Sequence, residues 1–369
     1  MHSSVVGRNG PIVYGVANED YSDSNKATID ASTGVVTMHS AGLVRISVTF
    51  DDSPYIWYYN ITVEQSMEGL FFIKNHATGT LLMPNDTSII DQSNHLELRK
   101  MGQISTHKWE LIYDGEGYYK IKNHITGNYV TSPTEATDGI NVTAEPELSN
   151  EVDRQRWKII SNENETFTIR AQNRTSYVLS ARKNSILDGT NVQQKSADSG
   201  EITEWIFANV GSFSNSGMSS RVFELRIDET TANNDTWAPL IHAAVAAWNN
   251  ANAGVSITIV DSNSTSCKVN IVVEEFTPMQ DPRNEKHGEC HKEFSIDTGE
   301  IINATIRINS LLTSPNSAGM GVIVHEIGHL LWLDDNPPDA SSIMRYDRNR
   351  NLIFLPQQSD IANVRFRYD

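Results

Sequence analysis

The stretch from Gly321 to Asp335, GVIVHEIGHLLWLDD, carries His325, Glu326 and His329 in the spacing H-E-x-x-H. Residues four apart on a helix share a face, so His325 and His329 present two imidazole nitrogens to one ion. Glu326, beside the first of them, then reaches a water at that ion and serves as general base. The run Gly319 to Val324 is apolar enough for a buried helix, which a dry, shaped metal site requires. A catalytic zinc usually takes three protein ligands and keeps one position open. The sixth residue after His329 is Asp335, which reaches the metal if the helix ends near Trp332 and the chain swings back. Asn336-Pro337-Pro338 stops any continuation of the helix. A bare H-E-x-x-H arises by chance in many helices. The acid, the two prolines and the following Ser342-Ile343-Met344-Arg345-Tyr346 lift this one above chance.

The pattern H-E-x-x-H-x-x-x-x-x-[H/D] followed by S-x-M-x-Y resembles the metzincin zinc endopeptidases. Within them it is closest to the bacterial matrixin-like and snapalysin-like members, where an Asp replaces the third His. The resemblance implies zinc as cofactor, with His325, His329 and Asp335 as its ligands and Glu326 as the catalytic base. It also implies that Met344 lies in a turn beneath the metal and that Tyr346 stands near it, to help stabilise an oxyanion. No motif supports calcium. The family usually has Gly at the position of Trp332, where the chain bends, so Asp334 stands as an alternative third ligand. Pro356 to Ile361 is similar to the start of the last helix of matrixins, which extends the resemblance over residues 221–369.

The chain has 369 residues, enough for two or three domains each with a core. Its formal charge of −17 argues against nucleic acid and anionic membrane surfaces as partners. No apolar run approaches the roughly 20 residues of a membrane span. Met1-His2-Ser3-Ser4 does not start a signal segment, and the chain reads as a mature fragment of a secreted or cell-surface, bacterial protein. Cys267 and Cys290 both lie in the last third. One disulfide suits an exported enzyme and two free thiols a cytosolic one, and the reading here favours the pair.

Residues 1–66 read as short strands separated by turns, with Val44, Ile46 and Val48 alternating against Arg45, Ser47 and Thr49. The run ATIDASTGVVTMHSAGLVRISVTF resembles the second half of a group 2 bacterial immunoglobulin-like domain, a β-sandwich fragment that serves as a spacer or adhesion module. An internal repeat follows. Ile73, Ile121 and Ile169 recur every 48 residues, and Trp109, Trp157 and Trp205 keep the same interval. Each repeat carries a D-x-x-N, from Asp91, Asp138 and Asp188, expected to hold turns through side-chain to backbone bonds. Three such units suggest a three-fold closed barrel with a tryptophan from each in the core. The pattern resembles the ricin-type β-trefoil lectins over residues 67–209. That likeness brings in carbohydrate as a candidate partner, although the acid of ricin-type sugar sites is missing after Leu82, Val130 and Leu179.

Residues 210–220 read as a linker, with Gly211 to Gly217 rich in Ser and Gly. Beyond it, strands are expected at Phe223 to Ile227, Val255 to Val260, Lys268 to Val273 and Ala304 to Asn309, with an amphipathic helix from Trp237 to Trp248. His242 on that helix is expected to be exposed. Pro278 to Glu293 reads as a loop, with His287 and His291 at its surface and Cys290 paired to Cys267. In metzincins the strand matching Ala304 to Asn309 is the sheet edge, where a peptide adds as an extra strand. The expected fold is therefore multidomain: a β-sandwich fragment, a β-trefoil and an α+β metzincin domain. The expected function is a secreted zinc endopeptidase acting on proteins or peptides. The alternative is a surface adhesin or lectin-like protein with an inactive metal site.

Overall fold

The computed structural model describes residues 12–17, 27–30, 36–38, 42–50, 56–63, 67–85, 94–99, 107–162, 164–182, 189–197, 203–264, 266–276 and 286–368. The chain forms two compact units, Met1–Met67 and Glu68–Asp369. In the first, β1 (Ile12–Ala17), β4 (Gly42–Phe50) and β5 (Ile56–Val63) make an antiparallel sheet in the order β1-β4-β5. β2 (Ala27–Ile29) and β3 (Val36–Met38) pair as a separate ribbon. The alternation read at Val44 to Val48 is that of β4, whose Ile46 is buried.

The second unit begins with twelve strands. They are β6 (Gly69–Asn75), β7 (Leu81–Pro84), β8 (Leu96–Arg99), β9 (Lys108–Tyr113), β10 (Tyr118–Asn123), β11 (Tyr129–Thr131), β12 (Thr143–Glu145), β13 (Trp157–Ser161), β14 (Phe167–Ala171), β15 (Tyr177–Ala181), β16 (Thr190–Ser196) and β17 (Glu204–Asn209). β6 pairs with β9, β9 with β10, β10 with β13, β13 with β14, β14 with β17, and β17 with β6. Six strands thus close a barrel. The hairpins β7–β8, β11–β12 and β15–β16 supply one further pair to each repeat. This is a β-trefoil.

The repeated tryptophans are core, as their spacing predicts. Trp109, Trp157 and Trp205 are all but inaccessible. Each indole N–H donates to a carbonyl of its own repeat, Leu82 O and Val130 O at 2.8 Å and Leu179 O at 3.0 Å. A buried indole needs that acceptor, and the three repeats meet the need in the same way. The D-x-x-N residues behave differently from expectation. Asp138 accepts from the Ser196 amide at 2.8 Å, and Asn141 accepts from Asn191 and Gln193 at 3.4 and 3.2 Å. They tie repeats together instead of closing local turns. Asp91 and Asp188 lie outside the described residues.

A five-stranded sheet follows, built from β18 (Val222–Ile227), β19 (Ser256–Val260), β20 (Val269–Glu274), β21 (Gly288–Phe294) and β22 (Ile301–Asn309). Its order is β19-β18-β20-β22-β21, parallel except for β21, which runs antiparallel to β22. α1 (Glu229–Ala232) leads to α2 (Trp237–Asn250), which presents Ile241, Ala244, Val245 and Trp248 to the core and leaves His242 exposed. α3 (Ser317–Leu330) carries the H-E-x-x-H residues, and Trp248 of α2 donates to Val324 O within it at 2.9 Å. α4 (Gln358–Tyr368) closes the chain.

Three expectations are corrected here. The stretch Ala304 to Asn309 is an inner strand, paired on both sides, and the edge is β21. The sequence of β21, GECHKEF, has no apolar alternation, so it read as loop. Cys267 and Cys290 are free thiols. Cys290 lies opposite Ile306, which lies opposite Ile271, so two strand spacings (~9–10 Å) part Cys290 from β20, and Cys267 is four residues further along. A disulfide needs Cα atoms within about 7 Å. His287 is half-buried against Thr313, with 3.2 Å from its Nδ1 to Thr313 Oγ1, and only His291 is at the surface.

The segment read as a linker is also structured. Ser212, Phe213, Ser216 and Met218 are buried. Phe213 packs with Phe72 of the trefoil and Phe366 of α4 at ring-centroid distances of 5.7 Å each. Lys74 of β6 donates to Phe366 O at 2.7 Å and lies over the Phe366 ring. Trefoil and αβ region therefore share a packed, apolar junction (Phe72, Leu81, Ala208, Phe213 and Phe366).

Candidate metal centre

α3 starts at Asn316, whose side chain accepts from the Ala318 and Gly319 amides, and it ends one residue after His329. His325 and His329 thus lie one above the other, with ring centroids 4.9 Å apart and planes at 89°. Their Nδ1 atoms face main-chain oxygens, Ile343 O and Leu333 O, each at 3.0 Å. Those contacts place the proton on Nδ1 and leave each Nε2 lone pair available. Both Nε2 atoms converge on Asp335 Oδ1, from 3.1 Å for His325 and 3.4 Å for His329. This oxygen is buried and accepts no hydrogen bond.

Two imidazoles and a carboxylate oxygen, all within 4.8 Å of one another, are a donor set that suits zinc. The unsatisfied Oδ1 is a second sign, because a buried carboxylate oxygen without a partner is costly unless a cation neutralises it. Asp334 is exposed and accepts from the Asp335 amide at 3.0 Å. It is not the third member.

Asp335 reaches the site because the chain turns back at Trp332, which takes a left-handed conformation with φ of 70°. That conformation costs a residue with a Cβ roughly 1–2 kcal/mol, and the surroundings offset it. The Trp332 indole is buried and donates to Met218 O at 2.8 Å, while the Arg367 guanidinium lies 3.9 Å above the ring. Gly217 sits so close to the ring that a Cβ there would come within 2.3 Å of it. The linker backbone completes the clamp through Ser214 N to Trp332 O and Met218 N to Leu330 O, both 2.7 Å, and Asp334 N to Ser212 O at 3.1 Å. A tryptophan therefore makes the bend that glycine usually makes.

Met344 is buried, with its sulfur against Gly328 of α3. Asp360 of α4 holds this turn by accepting from Ser342 Oγ at 2.5 Å and the Ile343 amide at 2.9 Å. Tyr346 stacks on His325 at 5.9 Å, and its hydroxyl donates to Asp335 Oδ2 at 2.5 Å. Burial and the Asp335 carboxylate raise its pKa, so it stays a donor. Glu326 is buried, and desolvation raises its pKa against the opposing influence of the two imidazoles. It faces Gly288 of the edge strand, where a Cβ would meet Glu326 Oε1 at 2.9 Å.

All five residues read as the site are thus brought to one cleft of about 720 Å³, beside the edge strand. Sequence reasoning missed Gly288, Lys292 and Asn336. Lys292 reaches Ser214 Oγ at 3.1 Å and His329 O at 3.4 Å, and it binds the linker to the end of α3. Asn336 adopts φ of 49° and accepts from the Tyr346 amide at 3.0 Å. A polar residue just before Pro-Pro was the one available signal for that turn.

Comparison with known proteins falls on the trefoil. No curated protein matches the chain. ThreeFoil, a designed 3-fold symmetric protein, is 22% identical with a TM-score of 0.35, over 39% of this chain and 100% of its own. A mosquitocidal holotoxin is 19% identical with a TM-score of 0.37, over 42% of this chain and 18% of its own. The Polyporus squamosus lectin, solved with the epitope Neu5Aca2-6Galb1-4GlcNAc, is 19% identical with a TM-score of 0.34, over 40% of this chain and 51% of its own. The matched stretch thus spans less than two thirds of the last two. Residues 105–195 match the family described as ricin-type beta-trefoil lectin domain-like, so that this part of a multidomain, largely β chain is a lectin-like trefoil.

Proposed function

We propose that this chain is a zinc-dependent endopeptidase of metzincin type, with a carbohydrate-binding trefoil beside its catalytic domain. The observation that carries the reading is the convergence of His325 Nε2 and His329 Nε2 on an unsatisfied Asp335 Oδ1. Zinc held by these three would supply Lewis acidity towards the carbonyl of a peptide bond.

The chain's own residues account for the rest of the chemistry. The exposed edge of β21 offers main-chain groups to an extended peptide, which would add as a further strand. Glu326, with its raised proton affinity, takes a proton from the attacking water on its carboxylate and passes it to the leaving amine. The Tyr346 hydroxyl donates to Asp335 at rest, and by turning from that oxygen it can donate to an oxyanion instead. The first unit fits a spacer of the immunoglobulin-like kind, and a secreted or cell-surface location is proposed on that ground alone, since the two free thiols point the other way.

The test is zinc content by elemental analysis together with casein digestion with and without a chelator. About one zinc per chain and chelator-sensitive cleavage are the expected result. Absence of zinc would remove the proposal. The second reading, a lectin-like adhesin with an inactive metal site, is favoured by the family match at residues 105–195. Binding on a glycan array by protein that carries zinc yet cleaves nothing would select it.

A further inference from the structure

The cleft is also lined by two arginines that the mechanism does not use, Arg348 and Arg350. Arg348 is buried, with 8% of its surface exposed. Its Nη1 donates to Arg345 O at 2.6 Å and its Nη2 to Gly321 O at 3.3 Å, while its Nε has no partner. Arg350, half-buried, makes no ion pair or hydrogen bond among the described residues. Among the described residues neither guanidinium has a carboxylate within ion-pair distance, in a chain where Asp and Glu outnumber Lys and Arg by 46 to 29. Two like charges lining one cleft repel. Burial and the neighbouring Arg350 together bring the pKa of Arg348 down to about 10.

Unpaired guanidinium groups facing a cleft are matched by an anion from outside the protein. The other cations of the cleft are already engaged. Lys286 and His291 pair with Glu289 at 3.6 and 2.7 Å, and Lys292 is held at the end of α3. Three carboxylates act on Arg348 from a distance, Glu326, Asp360 and Asp335. Asp360 is already taken up by the Ser342 hydroxyl and the Ile343 and Gln357 amides, and the other two flank the candidate metal position. The position is also informative. Gly321, which anchors Arg348, precedes His325 by four residues, about 6 Å along the helix. One acidic side chain spans that distance from a peptide bond lying at the imidazoles.

We propose that Arg350, backed by the main-chain-anchored Arg348, receives an acidic side chain of the substrate next to the bond that is cut. The inference rests on the endopeptidase reading and adds a substrate class to it. It is tested with zinc-loaded protein and a pool of capped decapeptides randomised at every position, the products being sequenced by mass spectrometry. Asp and Glu should exceed Asn and Gln about ten-fold at one position flanking the cut. Arg350→Gln should collapse that ratio, and Arg345→Gln, which removes an exposed pair with Asp347, should keep it. Cleavage without acidic enrichment, or enrichment that survives in Arg350→Gln, would overturn the inference and leave the protease intact. If nothing is cut, calorimetry with capped Ala-Ala-Asp-Ala-Ala and its Asn counterpart separates the two. Tighter binding of the Asp peptide, lost in Arg350→Gln, would keep the anion site while the protease reading fell. Equal binding would end both.

Discussion

The trefoil and the αβ region solve the same problem, placing buried polar groups, in opposite ways. In the trefoil one solution is used three times, a core tryptophan whose N–H meets a carbonyl in its own repeat. Around the αβ region the contacts that place the candidate site and join it to the trefoil are each made once and link distant segments. Trp332 Nε1 reaches Met218 O, 114 residues away, and Lys74 reaches Phe366 O, 292 residues away. Repetition distributes stability evenly, whereas convergence concentrates a donor set at one point. The lesson is that the candidate metal centre rests on contacts made once, whereas the trefoil core repeats the same contact three times.

The comparison can be broken most directly at the centre itself. His329→Ala should lower zinc from about one per chain to none and remove cleavage, whereas Glu326→Gln should keep the zinc and lower kcat by about 10²–10⁴-fold. Zinc retained by His329→Ala would show that the ions are held elsewhere. The next effect is on stability. Trp157→Ala, deep in one trefoil repeat, should cost about 3–5 kcal/mol in urea unfolding and leave zinc stoichiometry unchanged. Zinc loss in that variant would mean the two regions are not separable.

Trp332→Gly tests the convergent region, and two opposed terms decide its sign. Relief of the left-handed strain is worth roughly 1–2 kcal/mol, while the cavity left by the indole costs about 3–5 kcal/mol. The net expectation is a loss of about 2–3 kcal/mol with weaker zinc retention against a chelator; a gain in stability would contradict the clamp. A smaller change is expected from Lys74→Met at the junction. It strips Phe366 O of a donor and should cost about 1–3 kcal/mol, read as a lower urea midpoint. The smallest concerns the cysteines. Titration in denaturant without reductant should find two thiols, and in the native state Cys290 should react slowly, since burial pushes its thiol up to about 12. One disulfide and no thiols would reverse the strand order described around β22.

Much of this molecule was legible before any coordinate. The 48-residue interval marked the trefoil, because a repeated core position must carry the same side chain each time. The spacing of His325, Glu326 and His329 marked the candidate metal-binding face, because helical geometry makes residues four apart neighbours. Strands β18, β19, β20 and β22 showed their alternation, and α2 its apolar face. Strand β21 did not, since it is an edge beside a cleft and carries charged and small residues on both faces. The buried linker was misread for a related reason: Ser and Gly suit a flexible tether, but they equally suit close approach, here of Gly217 to an indole.

Local rules thus settled where helix, repeat and candidate ligands lie, since the periods of 3.6 and 2.0 residues leave a trace within a few positions of the chain. Tertiary structure alone decided that Asp335 and not Asp334 completes the donor set, that Trp332 can make the turn, that the thiols stay apart and that Arg350 faces the cleft unpaired. Each depends on segments tens to hundreds of residues apart meeting at ångström distances. Such meetings are selected by packing and by the cost of an unsatisfied buried polar group, and neither imposes a period on the sequence.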